Sequence, residues 1–592
     1  MRGTLPTGVH TLRLWGVGAL LAVALAAVGA SQAGSATARS AAPEFSEAVA
    51  FDTSKPLRQL AKTAKAGARQ RAPQLAQERG PFLADDGYAG DAAVQAAVAP
   101  LAIAAPIQNF EGLSNQNNFD IFGFRVNPPD PVGDVGPNHY VEMVNLTYGV
   151  YSKTGVPLLA PVDTGTLWAG FEIEDCTDPS GDPIVLYDQT TDRWLLTQFT
   201  TRGLDDPDLP FYNCVAVSTT GDPTGSYYRY AFITQPDTED GGYYFPDYPK
   251  YGVWRDSYIL TTRDFGLDNK YGISVYGLEK NKMVDGNPDA RAVQFFLDSD
   301  IVPINLIGDG LLPPDMDGNT KPKNDAVAPI VGTQDDEGPY GATFDALNIW
   351  EFDVKWRSTP TASITLKTQL PVDEFDSIFP CGVVPSTTPG QPANARDCLP
   401  QPTVTDGSRF LDILSYRQRP TWRLAYRNKG AYETLVTNQS VEARPAIAGV
   451  RWYELRRTGG TYTVHQQGTY APATDSIHRW MGSIAMDKNG NAALGYSVVD
   501  AVSVYPGIRY TGRLAGDPLG QMTLGEGTIV NGTAPQTHTN SRWGDYTSMN
   551  VDPVDDCTFW YVNEYYTVAG AASAPLGNGW QTRIASFRLP GC

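Results

Sequence analysis

Histidine is scarce here: five in 592 residues, one of them, His10, inside the N-terminal leader. No Cys-x-x-Cys pair and no His-Glu-x-x-His occurs, which leaves zinc and iron–sulfur chemistry without ligands. A nucleophile elbow and a phosphate-cradling Gly-rich loop are also missing, which removes the usual signatures of serine hydrolases and nucleotide enzymes. The four remaining histidines, His139, His465, His478 and His538, are scattered, and each alone reads as a hydrogen-bonded structural residue. Only Asp315-Met316-Asp317-Gly318-Asn319 hints at calcium, but Ala326 stands where a calcium loop needs its closing acid, so a turn is expected there. No cofactor is expected otherwise.

Basic charge is short too: 45 Lys and Arg against 65 Asp and Glu. A body this acidic suits neither nucleic acid nor an anionic membrane surface. The single long apolar run, Leu14 to Val28, follows Arg2 and Arg13 and ends in small residues at Ser31-Gln32-Ala33. It is shorter than the roughly 20 residues a membrane span needs and reads as a signal peptide over 1–33. The chain is thus expected to be secreted, extracellular or periplasmic, with no stable membrane insertion, and to work as a monomer. Residues 34–105 turn rich in Ala, Gln, Lys and Arg and read as a pro-segment or loosely ordered N-terminal arm.

Six cysteines remain, Cys176, Cys214, Cys381, Cys398, Cys557 and Cys592. An even number in an exported chain favours disulfides. Of the 15 pairings open to six cysteines, neighbours in order are the simplest: 176 with 214, 381 with 398, 557 with 592.

Helical periodicity is absent beyond residue 106. Short β-branched and aromatic runs alternate with Gly, Pro, Asp and Asn turns, so the body is all-β. One pattern recurs: an apolar strand ending in Asp, a four-residue polar turn, a second apolar strand. It appears at Ile184 to Thr197, Ser483 to Tyr496 and Ser548 to Tyr561. Asp suits the strand end because its carboxylate accepts hydrogen bonds from turn amides. Such units repeat every 50–65 residues, a period that signals a β-propeller over 106–592. Seven units are countable; the first and fourth are weak, which leaves six blades, or two tandem sandwiches, as alternatives. The last unit has three good strands, and the orphan strand near 106–112 is expected to complete it and close the ring, with Cys557–Cys592 locking the seam.

His478 to Ser483, Ser541-Arg542-Trp543-Gly544-Asp545-Tyr546, Asp552 to Tyr561 and Asp247 to Trp254 resemble a family of exported bacterial proteins over most of 128–592. That resemblance implies export and no particular reaction. A looser likeness is to sialidase-type β-propellers, although only a partial Asp-box, Asp487-Lys488-Asn489-Gly490, is present.

In a propeller the first strand of each blade lines the central channel. The loops that lead into those strands hold Asp134, His139, Asp182, Asp247, Tyr248, Lys250, Asp325, Arg444, Arg479, Trp480, Arg542, Trp543 and Asp545. Asp545, Asp247 and Glu564 are the candidate catalytic carboxylates. Arg444, Arg479, Trp480, Arg542, Trp543, Tyr248, Lys250 and His139 are the candidates for binding substrate. Paired carboxylates cleave glycosidic bonds, and arginine forks bind acidic groups, so a polysaccharide or glycan is the expected partner. The alternative is a non-catalytic glycan- or protein-binding, adhesive propeller presenting the same mouth.

Overall fold

A computed structural model of the chain describes residues 41–63, 88–95, 102–237, 241–267, 270–380, 397–413, 418–538, 541–574 and 577–592. The leader expected over 1–33 lies outside them, as does Cys381.

The repeated strand–turn–strand units fold into seven antiparallel blades, which excludes both six blades and two sandwiches. Their first strands are Val132–Val135, Ile184–Asp188, Phe245–Val253, Ala328–Gln334, Thr421–Asn428, His478–Met486 and Ser548–Val551. The strand-ending aspartates act as turn anchors. Asp188 accepts from the Thr190 amide at 2.9 Å, and Asp487 from the Asn489 and Asn491 amides at 2.8 and 3.0 Å. Asp552 accepts from the Val554 amide at 3.0 Å.

The ring closes as the orphan strand suggested. Gln108–Ser114 pairs antiparallel with Trp580–Arg588, placing Phe110 opposite Ile584. Blade seven therefore takes three strands from the C-terminal end and one from the N-terminal side. Cys557–Cys592 joins that blade to the last residue, and Cys176–Cys214 ties the segment after blade one to the third strand of blade two. Cys398 is also disulfide-bonded. A linkage closing 35 residues contributes about 3–4 kcal/mol in the chain-entropy account. Replacing Cys557 and Cys592 together by serine should lower the unfolding free energy by that amount, with the seam strand Gln108–Ser114 losing amide protection first in hydrogen exchange.

Two departures from regularity matter for the site. Among the described residues blade four has three strands, ending with Thr361–Pro371, and the chain then runs 49 residues before blade five begins at Thr421. The stretch expected as a calcium loop or turn begins instead as a strand, Pro314–Met316, lying parallel to Leu424–Tyr426 of blade five. Its Asp315 and Asp317 are both taken by the buried Arg423, at 2.8 and 2.5 Å.

Parts of the N-terminal arm also carry regular structure. Glu44–Glu47 adds a fifth strand to blade three and Ala50–Thr53 a fifth to blade two. Further along, Asp91 forms a 2.7 Å ion pair with Arg451, both fully buried.

Candidate active site at the channel mouth

Four lead-in loops share one backbone device. Asp130, Asp182, Tyr248 and Met481 all have φ between 47 and 53°, a left-handed conformation that costs a non-glycine residue about 1–2 kcal/mol. Asp130 and Asp182 are each followed by proline and then by the first residue of a channel-lining strand. Tyr248 and Met481 sit inside bulges, between Asp247 and Lys250 and between Trp480 and Ser483. A bulge re-aims side chains.

Residues from five blades meet at this end of the channel. Asn145, beside blade one, donates to the Asp130 carboxylate at 2.6 Å and accepts from the Asp182 amide of blade two at 2.9 Å. The other Asp130 oxygen accepts from the Asp545 amide of blade seven at 2.7 Å. The Tyr546 hydroxyl lies 3.2 Å from Asp182 and 3.0 Å from the Pro249 carbonyl of blade three. Asp545 faces two guanidinium groups, Arg542 at 3.3 Å and Arg419 of blade five at 3.9 Å. Arg542 also reaches Asp412 at 3.2 Å. The Lys250 ammonium group lies 2.9 Å from the centroid of the Tyr248 ring and 3.6 Å from that of Tyr546. Arg419 is 3.8 Å from the Tyr248 ring as well.

Burial governs the protonation of this cluster. It pushes Asp130 up to about 7, with Asp545 adding to the rise. Burial raises Asp182 well above the carboxylate range, helped by Asp130, Asp247 and Asp545. It drives Lys250 well below the lysine range, with Arg419 pushing the same way. Each shift follows from the cost of an ion out of water beside a like charge. The Asp130 and Asp182 carboxyls are thus biased towards their protonated forms.

The candidates divide accordingly. Asp545, Asp247, Tyr248, Lys250 and Arg542 come together with Asp182. Glu564 stands behind them, fully buried, accepting from the Gly544 amide at 2.5 Å; burial lifts it well above its usual range. The others lie elsewhere. Arg479 is bound to Asp475 and Glu526 at 2.9 and 2.8 Å, beside blade six. Arg444 donates to the carbonyls of Pro472 and Asp475. Trp480 and Trp543 pack on one another at 5.0 Å in an apolar cluster with Leu399, Leu411 and Tyr566. His139 opens the second strand of blade one, at the end opposite the Asp130 loop. Asp134 is likewise at that far end, accepting from the Tyr187 amide at 2.7 Å, and Asp325 lines a cleft of about 350 Å³ with Glu351, Tyr432 and Arg457.

Asp130, Asn145, Arg419 and Tyr546 belong to the cluster and are not among the candidates read from sequence. The shared Asp-Pro before an apolar strand, at 130 and 182, is the signal that marks two of the loops. Described parts of the connection after blade four reach the segment that leads into blade seven. There the Asp412 amide donates to the Ser541 carbonyl at 3.1 Å and Gln401 exchanges hydrogen bonds with Gln536. Asp182 and Arg542 stay partly exposed.

One acidic group, Asp335, Asp336 and Asp345, has carboxylate oxygens within 4.8 Å of one another among the described residues. Two of its members already accept protein hydrogen bonds, from the Ser377 and Phe375 amides.

The raised carboxyls make stability depend on pH with a definite sign. Asp130, Glu142 and Asp264 move up to about 7, and Asp134 to about 8, all chiefly through burial. The folded state holds these protons where the unfolded chain has lost them, so stability falls as pH rises from about 4 to about 8. Asp345 and Asp376 are raised to about 8 in the same way; the histidines His139, His465 and His478, all lowered by burial and the last to about 4, act oppositely below about 6.5 but are fewer. The melting temperature should therefore be higher at pH 5.5 than at pH 8.5; a rise across that interval would contradict these assignments.

No protein-family model matches the chain, and no curated protein matches it. Among solved structures, it is similar to an endo-arabinase from Bacteroides thetaiotaomicron VPI-5482 (13% identity, 57% of this chain and 94% of that chain, TM-score 0.25). It is also similar to the GH93 alpha-L-arabinofuranosidase of Fusarium graminearum (9%, 68% and 93%, TM-score 0.26). A third is the Penicillium chrysogenum alpha-L-arabinanase (12%, 69% and 93%, TM-score 0.25).

Proposed function

We propose that this propeller acts outside the cytoplasm on a polysaccharide or glycan and cleaves glycosidic bonds at the axial cluster. The observation that carries this reading is the gathering of Asp130, Asp182 and Asp545 from three blades, beside Arg419 and Lys250 from two more. Burying several like-charged carboxyls in one place opposes folding, and apolar packing would close a propeller axis at lower cost. Groups tuned apart in protonation are what acid–base chemistry at neutral pH requires.

In this reading the protonated Asp182 carboxyl donates its proton to the leaving glycosidic oxygen. Asp545, between the Arg542 and Arg419 guanidinium groups, takes the proton of the attacking water or itself attacks the sugar carbon; the pair then hydrolyses one glycosidic bond per water consumed. Asp247 and Glu564 set the charge around them. The disulfides fit an oxidising compartment, and no helix among the described residues is long and apolar enough to cross a membrane.

Incubation of the protein lacking its leader with a panel of neutral and acidic polysaccharides tests this directly. New reducing ends from at least one member are expected. Retention on a glycan array with no product from any member would instead support the adhesive alternative, and the absence of both product and retention would exclude a glycan.

A further inference from the structure

Away from the axial cluster, blade four carries a second gathering of acids. Asp335 follows the strand Ala328–Gln334 and Asp345 precedes Ala346–Lys355; Gln334 pairs with Ala346, so the two aspartates face each other at one end of the blade. Both are buried, and with the exposed Asp336 they bring carboxylate oxygens within 4.8 Å of one another. Main-chain amides orient the buried pair. Asp335 accepts from Glu337 and Ser377 at 2.9 and 2.8 Å, and Asp345 from Asp336 and Phe375 at 3.0 and 2.6 Å. Each oxygen so engaged keeps a second lone pair. The charges that bear on the group are acidic: Asp335 and Asp336 on Asp345 and Glu374, and Asp335, Glu337 and Glu442 on Asp376. Arg451, which comes within 3.3 Å of the Glu374 carbonyl, is committed to Asp91 at 2.7 Å. Like charges held this close out of water need a proton or a cation between them.

A neutral side chain from another part of the chain favours the cation. Gln418, just before blade five, is fully buried, and neither its amide oxygen nor its amide nitrogen has a hydrogen-bond partner. An amide left so is costly and calls for a ligand. It abuts the Asp335 turn: a Cβ built on Gly338 would stand 2.2 Å from Gln418 Oε1 and 3.2 Å from the Asp335 Cβ. Beside the carboxylates this adds one more acceptor and no proton. We propose that Asp335, Asp336 and Asp345 bind one calcium ion and that the Gln418 amide oxygen completes the protein's share of its shell. Hard oxygen ligands without nitrogen or sulfur suit calcium, which takes six to eight of them in a flexible geometry. Phe375 and Ser377 near the start of the connection between blades four and five hang on the same carboxylates, and Gln418 lies near its end. The ion therefore pins both ends of that connection to blade four.

The test is calorimetric titration with calcium chloride, and with magnesium chloride, of the protein lacking its leader and stripped of divalent ions by EDTA and gel filtration. One calcium ion per chain should bind with Kd at or below about 1 mM, the range of extracellular calcium modules, and magnesium at least about 10-fold more weakly. Calcium at about 5 mM should also raise Tm by mass action. Asp336→Asn alters only an exposed carboxylate; shown folded by circular dichroism, it should weaken calcium binding at least about 10-fold. Asp345→Asn should abolish the rise in Tm, and Gln418→Leu should weaken binding as well. No calcium binding up to about 10 mM overturns the inference, as does binding undiminished in both aspartate variants, or magnesium bound as tightly as calcium. The titrations of the unaltered protein decide even if the variants misfold. Glycan cleavage is read separately, so this inference and the proposed function can each fail alone.

Discussion

Arg423→Met should lower the unfolding free energy by about 3–5 kcal/mol, the range for removing one partner of a buried ion pair. Arg423 is 2% exposed on the first strand of blade five. It binds Asp315, Asp317 and the Met549 carbonyl of blade seven, the last at 3.1 Å. One side chain thus joins the short parallel strand Pro314–Met316 to two blades across the axis. Methionine matches the length of the arginine stem but leaves two carboxylates buried and uncompensated, 4% and 9% exposed. Burial already raises Asp315, so the chain would have to protonate the pair or admit water. Two consequences separate this account from simple loss of packing. The deficit should shrink at pH 4, where the unfolded chain also begins to bind those protons, and Asp315→Asn with Asp317→Asn should recover part of it in the Arg423→Met background. Urea unfolding reads all three; a loss below about 1 kcal/mol, the level of exposed pairs, would show the cluster to be incidental.

The second large effect is on turnover. On whichever glycan the panel identifies, Asp545→Asn should lower kcat/KM by about 10²–10⁴-fold, the contribution typical of a positioned acid or base. Asparagine keeps the shape of the side chain and an oxygen for Arg542, and Arg542 retains Asp412. The Asp545 amide that holds Asp130 is main chain and is unaffected. The melting temperature should therefore move by only a few degrees while activity collapses. A matched loss of stability and activity would instead mark Asp545 as a brace between blades. Asp182→Asn should also reduce activity, with a shifted pH profile, if its proton is delivered to the leaving oxygen as proposed.

The blades were legible because their determinants are local. Asp188, Asp487 and Asp552 each close a turn two to four residues away, and such contacts leave a repeating mark in the chain. The closing strand near 107 and the clasp at Cys592 followed from counting: one blade short of a strand, one strand short of a blade. The site was legible only in part. Asp545, Asp247, Tyr248 and Lys250 converge because their lead-in loops end at one mouth. Arg479 has the same kind of address but turns to Glu526, 47 residues onward in its own blade, and no local pattern announces that partner. Trp480 and Trp543 found each other for a related reason: the connection after blade four supplies Leu399 and Leu411 to cover them. Arg419 and Asn145 were missed because their roles depend on which blades become neighbours. The strands at 44–53 use backbone hydrogen bonds to add to blade edges, so their composition carries no strand signature.

The proposed hydrolysis requires a sugar to bind on the channel axis. A crystal structure of the Asp545→Asn protein with an oligosaccharide cleaved by the unaltered protein would locate it. The account predicts ordered sugar within hydrogen-bond distance of Asp182 and Lys250, reached past the partly exposed Asp182 and Arg542. Sugar seated instead in the cleft of about 350 Å³ lined by Glu351, Tyr432 and Arg457, with the axial cluster unchanged, would contradict it.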